Sequence, residues 1–280
     1  MGEPVSHSLS PLLHNAAFDA LGLDWVSVGF PVPTGAVRDA LEGMRALRIA
    51  GLSVTMPHKE AAHDAVDDTT AVAKRLGAVN CVTRRGDRLV GDSTDGEGFL
   101  AALRRGVGFE PHGRPCLVVG AGGAARAVVV ALADAGAAEV VVVNRTPARA
   151  ERAAALAGPA GRVGSRQDVA EADLVVQATP LGMAGGVGAS DAGGAYDQLL
   201  DPDQLHLGQV VVDLVYHPAR TALLEAAAAR GAVIANGLGM LVHQAALAVE
   251  RWTGRAAPVE AMWEAAAAGA PGIPGAARPR

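Results

Sequence analysis

The stretch from Cys116 to Ala135 constrains the fold more than any other. CLVVG (Cys116–Gly120) has the composition of a buried strand. It runs directly into Gly120, Ala121, Gly122, Gly123, Ala124, Ala125 and Arg126 and then an alanine- and valine-rich helix. A strand, a glycine turn and a helix in that order make a dinucleotide-binding loop. Gly120 permits the tight turn, Gly122 lets backbone approach a pyrophosphate, and Ala125 takes the small position where helix meets strand. The first turn of the helix then offers N–H groups and a positive dipole end to phosphate. The competing reading is a glycine turn in some other α/β fold, and the flanking strand and helix argue against it.

The alternation continues beyond this loop. VVVV (Val140–Val143), DLVVQ (Asp173–Gln177), VVVDL (Val210–Leu214) and AVIA (Ala232–Ala235) are further strands, with helices over Pro147–Ala157 and Ala219–Arg230. Unalternating valine runs mark strands covered on both faces, and strand–helix alternation predicts a Rossmann-type doubly wound parallel sheet. At the end of the second strand an Asp or Glu would hold an NAD ribose. This chain instead has Asn144, Arg145 and Thr146, with Arg149 one turn on. Guanidinium groups bind a 2′-phosphate that a carboxylate would repel, so the expected cofactor is NADP(H). A pair of solvated surface arginines is the bland alternative, and their position argues against it.

Composition narrows the function classes. Lys and Arg number 24 against 29 Asp and Glu, a formal net charge of −5, so nucleic acid is an unexpected partner. The most apolar stretch, Ala124–Val143, is broken by Arg126, Asp134 and Glu139, and the N-terminus MGEPVSHSLSP lacks an export signal's charged and apolar regions. Neither membrane insertion nor export is expected. Cys81 and Cys116 stand apart, fit no metal motif and suit a reducing cytoplasm, and no metal site is expected.

The first ~95 residues have a different texture. GLSVTMP (Gly51–Pro57) holds a short strand, CVTRRGDRLVG (Cys81–Gly91) reads as a hairpin, and Thr94–Arg105 as a helix joining the two halves. A second helix, about Met240–Trp252, is expected to return to this half and make it discontinuous. The expected organisation is α/β with two domains. Residues 1–95 and 238–267 form a discontinuous α/β substrate domain, residues 96–237 an NADP-binding domain, and residues 268–280 a frayed tail.

Five polar clusters lack the look of core: Ser6–Pro11 with His14 and Asn15, Ser53–Lys59, Gly77–Asn80, Gly91–Gly96 and Asn236–Gln244. Taken singly, each has a structural reading. Ser10-Pro11 suits a helix N-cap with proline at the first turn, and Thr94 or Asp95 suits the cap of the joining helix. Together, the ordered motifs HSxSPxxHN, SVTMPxK, GAVN, TDG, GAGGAAR, NRT and GLGMLVxQ closely resemble the shikimate dehydrogenase family, including its shikimate/quinate members. The resemblance spans Gly2 to about Ala248.

That resemblance implies NADP-dependent interconversion of shikimate and 3-dehydroshikimate, toward chorismate and the aromatic amino acids. It implies a cytoplasmic monomer or homodimer. Ser8 and Ser10 match residues that bind the substrate carboxylate, with Tyr216 assisting. Thr55, Asn80 and Gln244 match those that fix the ring hydroxyls, and Lys59 and Asp95 match the catalytic pair, also in contact with substrate. The resemblance places the pyrophosphate on Gly120–Arg126 and the adenosine phosphate on Asn144, Arg145, Thr146 and Arg149. The nicotinamide falls to Ala178–Met183 (Thr179 within it), Leu214, Gly237 and Met240.

Departures from the pattern are Ser53 for a usual Asn, Leu214 for Met, Thr179-Pro180 for Thr-Ser, and a glycine-rich Gly185–Gly194 loop of no evident role. Family members also carry a short hydrophobic strand before the match to Gly2–Pro4, so either the natural start lies upstream, the favoured reading, or the chain lacks that strand and folds with a weakened first domain. The alternatives are an NAD-using quinate/shikimate dehydrogenase and, from another class, a non-catalytic NADP-binding paralogue. Arg145 argues against NAD, Ser10 (rather than Thr) leans away from quinate, and the retained Lys59 and Asp95 argue for an active enzyme.

Overall fold

A computed structural model describes residues 1–6, 8–183 and 199–269. The chain divides into two compact units, one of Met1–Gly98 with the chain from Leu241 onward, the other of Phe99–Met240. The crossings fall inside two helices, Asp95–Val107 and Leu238–Thr253, close to the sequence-based boundaries at 95 and 238.

The central unit is built on parallel strands β5 (Pro115–Val119), β6 (Glu139–Val143), β7 (Gly161–Val163), β8 (Leu174–Gln177), β9 (Val210–Asp213) and β10 (Val233–Asn236). Among the described residues the order is β10-β9-β8-β5-β6-β7, every pairing parallel. The order reverses between β5 and β8, which is where ligands bind at the carboxyl ends of such sheets. Alternate valines serve opposite faces. Cys116, Val118, Val140, Val142 and Val176 join one core, while Leu117, Val119, Val141, Val143 and Val175 join the other. Burial on both faces explains the unbroken Val runs. Helices α6 (Gly123–Asp134), α7 (Pro147–Ala155) and α8 (Ala222–Ala229) cover the sheet, and α8 is capped by Thr221, whose hydroxyl accepts the Leu224 N–H. Strand β7 is an addition to the sequence reading. The Gly185–Gly194 loop lies outside the described residues.

The terminal unit holds β1 (Gly51–Ser53), β2 (Asp68–Thr69), β3 (Cys81–Arg85) and β4 (Arg88–Asp92) in the order β1-β3-β4-β2. The predicted hairpin is β3–β4, turning at Gly86 with φ of 62°. Helix α2 (Val37–Ala46) buries Val37, Leu41 and Met44 at helical spacing against Leu52, Val54, Val82 and Leu89. Short helices α3 (Lys59–His63) and α4 (Ala71–Leu76) flank β2. Met1 and Gly2 lie between two segments: the Met1 carbonyl accepts the Thr55 N–H at 3.0 Å, and the Gly2 N–H donates to Phe30 at 3.3 Å.

Several helix ends differ from expectation. Helix α1 (Ser10–Ala20) has Leu9 at its N-cap, so Ser10 is not the cap. Ser8 lies nearer that role, its hydroxyl accepting the Ser10 N–H at 3.3 Å. The joining helix α5 is Asp95–Val107 and the returning helix α9 is Leu238–Thr253. A further helix, α10 (Val259–Gly269), packs along α1 and carries ordered structure past Ala268, where the tail was expected to begin. Among the described residues no helix is long and apolar enough to cross a membrane.

Candidate active site

In the terminal unit, three distant segments place polar side chains around Asn80. The residue precedes β3 and is buried, and its amide nitrogen donates to Asp95 Oδ1 at 2.8 Å and Thr94 Oγ1 at 3.0 Å. It also reaches Gln244 Oε1 at 3.3 Å. Its carbonyl oxygen accepts the Thr94 N–H at 2.8 Å, which fixes the amide orientation. Lys59 opens α3 and sets its ammonium 2.5 Å from Asp95 Oδ2. The pair is mostly enclosed, the lysine side chain 17% and the aspartate 8% exposed. A short ion pair with a second donor on the carboxylate is suited to holding and moving a proton.

Helix α9 carries Gln244 into this cluster and is pinned at its far end. Trp252 Nε1 donates to the Val82 carbonyl at 3.1 Å, and Arg251 donates to Asp92 at 3.0 Å and Glu97 at 3.1 Å. Closer in, Thr94 Oγ1 donates to the Gln244 carbonyl at 3.1 Å. Gly98 lets α5 approach: a Cβ there would lie 2.6 Å from Gln244 N and 2.8 Å from its Cα. Gly98→Ala therefore forces backbone apart, and a destabilisation of about 1–3 kcal/mol is expected, the usual range for overpacking. A thermal melt matching the unsubstituted protein would refute that close approach.

Other predicted residues stand outside this hydrogen-bonded cluster. Ser8 and Ser10 are half-buried at the start of α1, and Thr55 is exposed in the turn between β1 and α3. His14 and Asn15, singled out as polar, are structural. Buried His14 meets Ser27 Oγ at 3.1 Å, while Asn15 accepts the Ser27 N–H at 2.6 Å and donates to its carbonyl at 3.0 Å. They tie the Trp25–Phe30 segment to α1. Thr94 stood in the TDG motif only as a cap candidate and Gly98 carried no signal; their part in organising the site shows once α5 and α9 are placed together.

In the central unit, Gly120 takes φ of +121° after β5, and a Cβ there would lie 3.1 Å from the Ala178 carbonyl that follows β8. Gly122 is the N-cap of α6 with no side-chain cap bond, so the first-turn N–H groups face outward as donors. Gly123, Ala124 and Arg126 continue that first turn, Ala121 precedes it, and Ala125 is buried. At the carboxyl end of β6 lies an open cavity of about 460 Å³, lined by Asn144, Arg145, Gly164, Ser165, Arg166 and Gln167 among others. Arg145 is exposed there, and Thr146 and Arg149 are exposed beyond it at the start of α7. Arg166 is an addition to the sequence reading, visible only once β7 brings residues 164–167 alongside Asn144. An uncapped helix start with a cation-lined cavity at the end of the neighbouring strand fits a dinucleotide bearing an extra phosphate.

Leu214, Val215 and Tyr216 follow β9, and burial raises the Tyr216 hydroxyl above its ordinary range. Gly237, buried, donates its N–H to the Val215 carbonyl at 3.2 Å, and Met240 is buried in the same unit.

Comparison with known proteins bears on both units. Residues 1–82 match the shikimate dehydrogenase substrate binding domain, residues 106–181 the shikimate/quinate 5-dehydrogenase family, and residues 237–267 the shikimate 5′-dehydrogenase C-terminal domain. The NADP(+) shikimate dehydrogenase of Methanopyrus kandleri is 46% identical over 95% of this chain and 92% of its own. The chain belongs to the shikimate dehydrogenase family. Another relative of that name, from Moorella thermoacetica, is 47% identical over 94% of this chain and 89% of its own. Among solved structures, the Thermus thermophilus shikimate 5-dehydrogenase in complex with NADP(H) and shikimate superposes with a TM-score of 0.86. It is 39% identical, covering 96% of this chain and 97% of that one. The family's two-part α/β architecture is the one described above.

Proposed function

We propose that the protein catalyses the reversible, NADP-dependent reduction of 3-dehydroshikimate to shikimate, on the route to chorismate and the aromatic amino acids. The observation that carries this reading is the Lys59–Asp95 pair at 2.5 Å, held by Asn80 beside Gln244. NADPH, when bound, supplies the hydride. As the substrate carbonyl is reduced, the Lys59 ammonium donates a proton to the developing alkoxide, and Asp95 holds the amine in place for reprotonation. Asn80 and Gln244, with Thr55, present amide and hydroxyl groups that both donate and accept, as a polyhydroxylated ring requires. Ser8 and Ser10 take the carboxylate, Tyr216 assisting.

The cofactor sits on the Gly120–Arg126 turn, with Asn144, Arg145, Thr146 and Arg149 on its 2′-phosphate side. Thr179, Leu214, Gly237 and Met240 line the nicotinamide. The working compartment is the cytoplasm, a reading supported by Cys81 and Cys116, free buried thiols that burial pushes up to about 12. The working form is a monomer or homodimer.

The deciding measurement is a set of initial rates on shikimate and quinate with NADP and with NAD. Shikimate with NADP is expected to dominate in kcat/KM. A preference for quinate with NAD would replace this reading, and NADP binding without turnover of either acid would sink it.

A further inference from the structure

A buried polar pair closes one face of the central sheet where β8 and β9 end. Gln177 and Asp213 are register partners on those strands, so their side chains project to the same side, and both are fully buried. Asp213 Oδ1 accepts the Val215 N–H at 3.0 Å and the Gln177 amide at 3.2 Å, and Oδ2 accepts the Thr221 hydroxyl at 2.7 Å. The same Gln177 amide nitrogen reaches the carbonyls of Thr179 at 3.0 Å and Leu181 at 3.1 Å, and its oxygen accepts the Thr179 N–H.

These contacts form one clamp. It folds the Thr179–Leu181 turn back on β8 and the Leu214–Val215 segment back on β9. We propose that Asp213 is a positioning residue: through Val215 and Gln177 it sets the two segments that bear on the nicotinamide. The inference rests on the cofactor reading above, since only that reading places Thr179 and Leu214 against the nicotinamide.

Burial pushes the Asp213 carboxyl up to about 6, against three hydrogen bonds that lower it. The clamp needs no charge to hold. A neutral amide at this position keeps the Val215 and Gln177 donors on its oxygen, and the Thr221 hydroxyl turns to accept from its nitrogen. Hydrogen-bond geometry and charge are therefore separable by substitution.

Asp213→Ala is expected to lower kcat/KM for NADPH by roughly 10²-fold, the scale of a misplacement near 1 Å. Affinity for adenosine 2′,5′-bisphosphate, which occupies only the adenosine half of the site, is expected to stay unchanged by calorimetry. Asp213→Asn is expected to restore activity. Loss of bisphosphate affinity in step with activity would mean a merely structural role and overturn the proposal, as would unchanged kinetics in Asp213→Ala or failure of the Asn variant to rescue. If Asp213→Ala does not fold, Gln177→Leu cuts the other half of the clamp and is read in the same two assays, where unchanged kinetics overturn the proposal. Leu214→Trp separates the two layers. If it leaves NADPH kinetics untouched, the cofactor reading is wrong. If it impairs them while Asp213→Ala does not, only the positioning role falls.

Discussion

Replacing Lys59 with alanine is expected to lower kcat by about 10²–10⁴-fold in both reaction directions, the usual scale of general acid–base help. The KM for shikimate should change little, because Asn80 and Gln244 remain to hold the ring. The geometry behind this is the 2.5 Å contact with Asp95, whose other oxygen is occupied by Asn80. Without the lysine, the site loses the donor that neutralises the alkoxide. Truncation also leaves Asp95 buried beside one neutral donor, which destabilises the terminal unit. Breaking a fully buried pair costs about 3–5 kcal/mol, and the partly exposed lysine places this one below that range. Rates should therefore be read well below the melting temperature, with circular dichroism on the same sample. Folded protein that retains wild-type kcat would remove Lys59 from proton transfer.

The reach of the sequence differed between the two units for physical reasons. Strands β5, β6, β8 and β9 were legible because burial on both faces demands continuous valine runs, β10 because of its Val-Ile pair despite its edge position, and the phosphate loop because its glycines meet a backbone requirement. Strand β7 was not, since Gly161, Arg162 and Val163 carry one β-branched residue between them. With it went Arg166, whose place in the cavity depends on that strand. In the terminal unit, the cluster residues were recognisable only as ordered motifs. Asn80 meets Gln244 across 164 positions, and local pattern says nothing about such a contact. The same limit hid Gly98 and the bridging role of Thr94, and it left His14 and Asn15 in a polar cluster without showing that they tether a neighbouring segment. Asp213 escaped notice because it stood only as one residue of the strand Val210–Leu214. Its role depends on its register with Gln177.

Arg145→Ala is expected to raise the KM for NADP by roughly 10- to 100-fold and to leave NAD kinetics nearly unchanged. A hydrogen bond to a charged group contributes ~1.5–3 kcal/mol, and each 1.4 kcal/mol is about tenfold in affinity. Arg145 lines the cavity beside Asn144 and faces solvent, so salt screens it, and the effect should fall toward the lower figure as ionic strength rises. The cofactor comparison carries the test. NAD lacks the 2′-phosphate, so a guanidinium reading that group contributes nothing to NAD binding, whereas one supporting the β6–α7 turn would affect both cofactors alike. Equal losses would thus assign Arg145 a structural role. Arg166 lines the same cavity from the segment after β7. If both guanidiniums read the phosphate, Arg166→Ala should reproduce the NADP-specific loss, and the double variant should bring NADP down to the affinity of NAD. If the double variant still prefers NADP, the discrimination lies with Asn144 and Thr146 of the NRT motif and with Arg149 in the first turn of α7.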